Sequence, residues 1–180
     1  MEGTAMKSAL YWHRINEADL ALCLRLNQLS HRSLLRGFFR GVSRLGNGVF
    51  WYMLAALLPL LYGAAAWPTV ARMAVVGVIG LAIYKWLKQK TSRPRPCQVY
   101  AAISAEAPAL DRFSFPSGHT LHATSFAMVA ATGFPELGPV VYPFAVAVAL
   151  SRPILGLHYP SDVLAGATIG ALLAQVAIGW

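Results

Sequence analysis

Lys88 and Arg95-Pro96, with six residues between the two cations, are followed along the chain by Pro116-Ser117-Gly118-His119 and then by Ser151-Arg152, His158 and Asp162. These three polar groups interrupt a chain that is otherwise apolar, and each sits at the end of an apolar stretch. Ionisable side chains at membrane depth are costly, so they are functional hypotheses by default. Together they supply cations, imidazoles, a carboxylate and a helix start, the parts that phosphoryl transfer uses.

Each group has its own chemistry and its own plain structural alternative. Pro116 fixes the backbone, Ser117 is a good N-cap and Gly118 lets a ligand come close. A helix starting there turns unpaired N–H groups and a positive dipole end outward, which is an anion site. His119, in that first turn, exchanges a proton near neutral pH; the alternative is a structural cap and nothing more. Arg152 brings a planar fork suited to phosphate oxygens. His158 and Asp162 are spaced for the carboxylate to hold one imidazole nitrogen and leave the other free as a nucleophile. The alternative is an Arg–Asp tether with a packed histidine. Lys88 ends a span, and a turn stiffened by Pro94 and Pro96 returns Arg95 to the same side, so two more cations face the same anion. Snorkelling toward headgroups is the alternative, and Lys90, Arg93 and Arg112 are assigned to it. His122, one turn beyond His119, is read as packing or support.

The elements that position these residues are membrane helices. Of 180 residues 57% are hydrophobic and only 12% charged, against about 25% charged in soluble domains. The length allows roughly five or six helices of about 20 residues. The expectation is an all-α integral membrane bundle of five to six transmembrane helices in one domain, residues 1–180, with an amphipathic region over 1–45 and the site motifs over 88–162. Fifteen Lys and Arg against seven acids give a net charge of +8. Because the basic residues hug apolar segments and build no polar domain, lipid headgroups and phosphate are the expected partners, and nucleic acid is not. Cys23 and Cys97 match no metal spacing and are read as unpaired thiols. The first seventeen residues are polar, with no apolar run or small-residue cleavage site, so the insertion signal is expected in the spans.

Residues 18–39 read as one amphipathic helix, either lying at the interface or forming a first span with a polar face. Arg32, Arg36, Arg40 and Arg44 would form one stripe if it continued. Leu45-Gly46-Asn47-Gly48 is a turn signal. Spans are expected over Val49–Trp67 and Val70–Leu87, with a tight turn at Trp67-Pro68. A long polar connection runs over Lys88–Ser117 and a short span over Gly118–Thr132. A turn follows at Gly133–Pro139, then an apolar run over Val140–Leu150, a polar stretch over Ser151–Ser161 and a last span over Val163–Trp180. That span holds Gly166 and Gly170 at the GxxxG spacing, which serves packing within a bundle or dimerisation. Counting reversals puts all three motifs on one side of the membrane.

The pattern Lys-x6-Arg-Pro, Pro-Ser-Gly-His, Ser-Arg-x5-His-x3-Asp resembles the type 2 phosphatidic acid phosphatase superfamily, which includes lipid phosphate phosphatases and, more distantly, vanadium haloperoxidases. The resemblance covers Lys88 to Asp162 by motif and the rest by span count. It implies that His158 attacks phosphorus and forms a phosphohistidine, that Asp162 orients it, and that His119 protonates the leaving oxygen. It implies that Lys88, Arg95, Ser117, Gly118 and Arg152 hold the phosphoryl oxygens, with no metal or other cofactor. The implied substrate is a lipid phosphate or diphosphate: phosphatidate, phosphatidylglycerophosphate or undecaprenyl mono- or diphosphate. A vanadate-dependent haloperoxidase is disfavoured by the membrane composition. A non-catalytic headgroup-binding or transport protein would need the cations but not the histidines and Asp162. The resemblance implies a multi-pass protein of the inner (cytoplasmic) membrane with a periplasm-facing site. Arg40, Arg44, Lys90, Arg93 and Arg112, on the site's side, argue for the cytoplasmic face by the positive-inside rule.

Overall fold

The structure, a computed structural model, describes residues 16–109 and 111–179. The polar N-terminal stretch read above for targeting lies almost wholly outside the described residues, as does Trp180. Among the described residues all regular structure is helical: α1 (16–28), α2 (Ser33–Arg44), α3 (Phe50–Tyr62), α4 (Trp67–Thr91), α5 (Pro96–Val99), α6 (Gly118–Gly133), α7 (Gly138–Ile154) and α8 (Pro160–Ile178). Among the described residues three stretches are long and apolar enough to cross a membrane: Ser33–Val99, Pro135–Ile154 and Pro160–Ile178, the first running through α2 to α5. The all-α membrane bundle expected from the sequence is the architecture found.

α6 is the central helix, packed against α8, α7 and α4. Its small residues make this possible: Ala123, Ser125, Ala127, Ala130 and Ala131 are all buried. Trp51, Leu58, Met73, Val76, Val141 and Val148 fill the core around it. The outer surface carries Tyr52, Leu60, Val78, Val146, Leu164 and Val176, all exposed. Such a continuous apolar exterior fits lipid, not water. α4, with 25 residues, is ~37 Å long against a hydrocarbon core of about 30 Å. It is therefore longer than the apolar slab is thick.

Gly166 and Gly170 are used inside the bundle. A Cβ on Gly166 would lie 2.5 Å from the Ser117 carbonyl oxygen, and one on Gly170 2.3 Å from that of Leu121. The packing sense of the GxxxG spacing is the one realised: α8 rests on the backbone of α6.

Several boundaries differ from the expected ones. The helix expected over 18–39 breaks at Leu29–His31, and Arg32 is extended (φ −81°, ψ 116°). Ser30 sits at the break and its hydroxyl donates to the Asn27 carbonyl at 2.7 Å, a local bond that competes with the helical pattern. Arg32 therefore caps α2 and leaves the arginine stripe to Arg36, Arg40 and Arg44. The turn expected at Trp67-Pro68 lies earlier, at Gly63–Ala66, where Gly63 has φ +60°. Pro68 instead occupies the first turn of α4, where its missing N–H costs nothing. The Asn47-Gly48 turn is present, with Gly48 at φ +110°. The polar stretch over Ser151–Ser161 is mostly helical, since α7 carries Arg152 on its last turn and α8 begins at Pro160. Likewise α4 continues past Lys88 to Thr91.

Gly170→Ala should lower the thermal midpoint in detergent, at a cost of about 1–3 kcal/mol, because a backbone oxygen cannot swing away as a side chain can. Gly37→Ala on α2, where nothing lies within 4 Å of the added Cβ, should be neutral or slightly stabilising in the same melt.

Candidate active site

One cavity of about 500 Å³ gathers Lys88, Arg95, Asp111, Gly118, His119, Arg152 and His158 at one end. Ala55, Val70, Met73, Val78 and Phe126 line the other. Residues from all three motifs thus meet in one place, as helix counting required. Ser117 caps α6, its hydroxyl accepting from the Thr120 N–H and sharing a 3.0 Å bond with the Thr120 hydroxyl. Gly118 lies under the Tyr84 ring, which an added Cβ would approach to 3.3 Å.

The cations are buried, and most of their partners come from the connection between α4 and α6. Lys88 Nζ donates to Asp111 Oδ1 at 2.8 Å and to the Phe113 carbonyl at 2.7 Å. Arg95 donates to the same Oδ1 at 2.8 Å, to the Asp111 carbonyl at 3.1 Å and to the Leu157 carbonyl at 2.6 Å. Arg152, 2% exposed, donates to the Ser43 hydroxyl, and its Nε has no partner among the described residues. Burial pushes the Asp111 carboxyl up, but Lys88 and Arg95 outweigh it and hold the group below the usual carboxylate range.

His158 lies in the short connection between α7 and α8. Its Nδ1 is 2.7 Å from the Ser114 carbonyl oxygen, which can only accept, so Nδ1 carries the proton. Nε2 is then unprotonated and accepts from Arg95 Nη1 at 3.3 Å. Burial first, and then the charges of Arg152, Arg95 and Lys88, push the His158 imidazole well below its ordinary range, so the ring is neutral at pH 7. An oxyanion entering here would meet three cations, the start of α6 and a neutral imidazole whose unprotonated Nε2 accepts from Arg95.

Asp162 sits differently from the sequence expectation. Its Oδ2 is 3.7 Å from His158 Nδ1 and accepts instead from the Tyr159 N–H at 2.9 Å. Oδ1 accepts from Arg93 at 2.7 Å. Arg93, assigned above to headgroup contact, is an internal strut. It also donates to Ser161 and to Asp19 and stacks on the Tyr159 ring at 4.0 Å. His122 has the supporting place expected of it, with Nε2 3.2 Å from the Gly77 carbonyl and its ring stacked on Phe126. Cys23 and Cys97 are free thiols.

A family model described as the PAP2 superfamily matches residues 65–180. The chain belongs to the PAP2 superfamily. It is 36% identical over 143 residues to the decaprenylphosphoryl-5-phosphoribose phosphatase of Mycobacterium tuberculosis, covering 76% of this chain and 75% of that protein. It is 28% identical over 181 residues to phosphatidylglycerophosphatase B of Bacillus subtilis, covering 93% of this chain and 85% of the other. The crystal structure of a transmembrane PAP2 type phosphatidylglycerolphosphate phosphatase from Bacillus subtilis superposes with a TM-score of 0.78 at 25% identity, over 96% of this chain and 88% of that one.

Three contributors to this PAP2 site escaped the sequence reading. Asp111 stood among several polar residues of a long connection, with no spacing to mark it. The Ser114 carbonyl is a backbone group, invisible to any residue pattern. Asn27 clasps the site from α1: its amide donates to the Ser104 and Ile154 carbonyls at 3.1 and 2.9 Å and accepts from the Ser104 N–H at 3.0 Å. The one available signal was the spacing of Asp19, Cys23 and Asn27, a buried stripe on α1.

The direction of the Asp111 shift fixes a pH dependence. A carboxyl held lower in the folded chain stabilises it above the unfolded value of about 3.9 and loses that contribution as pH falls through the folded value. Asp111→Asn should therefore melt below the wild type at pH 7, and the gap should close as pH drops below about 4.

Proposed function

We propose that the protein is a membrane lipid phosphate phosphatase working through a phosphohistidine on His158. The observation that carries this reading is the bond from His158 to the Ser114 carbonyl, which leaves Nε2 unprotonated beside Arg95 in a cavity with an apolar extension. Nε2 attacks phosphorus and the bond from phosphorus to the lipid oxygen breaks. His119 gives its proton to that oxygen, and the phosphate's own negative charge favours the protonated form beforehand. Water then attacks the phosphohistidine and returns a proton to His119, releasing orthophosphate and restoring the imidazole. Lys88, Arg95 and Arg152, with the Gly118-His119 start of α6, offset the charge on the phosphoryl oxygens. Ser117, whose hydroxyl and N–H are bound to Thr120 and Asp162, sets the position of that start instead of holding phosphate as the sequence led one to expect. Asp162 supports His158 indirectly, by holding the Tyr159 N–H and Arg93.

The apolar end of the cavity, toward α3 and α4, suits an acyl or prenyl chain entering sideways from the bilayer. Phosphatidate, phosphatidylglycerophosphate and undecaprenyl mono- or diphosphate are the candidate substrates. The names of the relatives, one decaprenyl and one phosphatidyl, support both kinds of tail. The chain acts as one domain in the inner membrane with its site toward the periplasm. Because α8 leads away from the site, a reporter at the C-terminus should then read cytoplasmic; a periplasmic signal would reverse the orientation.

A phosphate-release screen over these lipids tests the reaction. Wild type should turn over at least one, and His158→Ala should lose at least a thousandfold, in line with removal of a nucleophile. Full activity in His158→Ala, or lipid binding without turnover in the wild type, would end the proposal in favour of a headgroup-binding protein. His119→Ala should slow a lipid phosphate by about 10²–10⁴ and slow p-nitrophenyl phosphate much less, because nitrophenolate leaves without a proton. Since His158 is held neutral, the acid limb of kcat/KM should fall below about pH 6.5.

A further inference from the structure

Behind His119 and Arg152 lies a second cavity of about 620 Å³, and most of its lining residues are charged or polar. Arg40, Ser43 and Arg44 of α2 form one wall, and Glu106 with its neighbours forms the other. The two cavities share Asn47, His119 and Arg152 and no other lining residue. Arg40 is neutralised, since it pairs with Glu106 at 2.8 Å, and Arg36 adds a longer contact at 3.9 Å. Arg44 faces the same space and has no carboxylate partner among the described residues. Arg152 is buried and reaches the Ser43 hydroxyl, yet its Nε lacks an acceptor. A buried donor left unsatisfied carries a desolvation penalty, which an incoming anion would recover.

We infer that this chamber is a second oxyanion subsite, adjoining the reacting phosphoryl group and served by Arg44 and Arg152. Its ligand is a tetrahedral phosphate-like group. Two sources fit that chemistry: the second phosphoryl group of a lipid diphosphate, or orthophosphate leaving after hydrolysis. The inference rests on the phosphatase reading, which places the first phosphate on the other side of His119 and Arg152. The apolar end of the first cavity gives the lipid its own way in and out, so the second chamber is free to serve the water-soluble half of the reaction.

Two substitutions with opposite signs test it. Arg44→Ala removes the unpaired cation, whereas Glu106→Gln frees Arg40 from its counter-charge. Calorimetric titration of the purified full chain with pyrophosphate should show about tenfold weaker binding in Arg44→Ala and several-fold tighter binding in Glu106→Gln. A folding defect cannot produce both shifts. Affinities within twofold of the wild type in both variants would overturn the subsite. Kinetics then separate the sources. A loss of preference for farnesyl diphosphate over farnesyl phosphate in Arg44→Ala identifies the substrate's second phosphoryl group, and weaker inhibition by orthophosphate at unchanged preference identifies the departing product. The titration needs no turnover, so failure of the phosphatase reading and failure of the subsite are separate results.

Discussion

Burying positive charge next to a bilayer is the constraint that organises this molecule. Lys88, Arg95 and Arg152 are 5%, 2% and 2% exposed, and an isolated buried ion costs several kcal/mol even after relaxation. One carboxylate, Asp111, serves two of the three, and main-chain carbonyls of Phe113 and Leu157 supply much of the rest. Among the described residues the third has only a serine hydroxyl. The cluster is thus under-neutralised, a poor design for stability and a good one for holding an anion.

That arrangement explains why the connection between α4 and α6 is folded at all. It has little regular structure, yet its carbonyls must point at cations to within hydrogen-bonding distance. The Ser114 N–H is bound to the Arg93 carbonyl, Glu106 N–H to the Leu155 carbonyl, and Ser104 to Asn27. Gly156, at φ +72°, lets residue 104 approach where a Cβ would sit 2.3 Å from the Ser104 carbonyl oxygen. Arg93 acts twice: its side chain holds Asp162 and Asp19, and its carbonyl holds the peptide that presents Ser114 to His158. The imidazole tautomer therefore depends on a residue that never touches the imidazole.

The sequence made the helical bundle and the convergence of the motifs legible, because apolar runs and their reversals are patterns of residue type. It placed Lys88, Arg95, His119, Arg152 and His158 about one cavity for the same reason. It missed what is set by distance across the chain. His158 and Asp162 are four residues apart, a spacing that invites a direct bond, but the Tyr159 N–H captures the carboxylate first. Arg93 reads as a snorkelling cation until its two acidic partners, far away in the chain, are in view. The break at Leu29–His31 and the reversal at Gly63–Ala66 were misjudged because serine and proline have meanings that depend on which turn of a helix they occupy.

Helix direction ties these observations together. α4 and α7 arrive at the site, and their last turns carry Lys88 and Arg152, where the negative end of a helix dipole favours a cation. α6 and α8 depart from it, and their positive ends favour an anion. At α8 the resident anion is Asp162 in the first turn. At α6 the first turn holds Gly118 and His119 and no acid. The two departing helices are joined by the Ser117 N–H bonded to the Asp162 carbonyl, and by Gly166 lying on the Ser117 carbonyl oxygen. A small-residue stripe that looks like a membrane-packing device thus also sets where the start of α6 lies relative to His158. Packing within the bilayer and geometry at the phosphate site are consequences of the same contact.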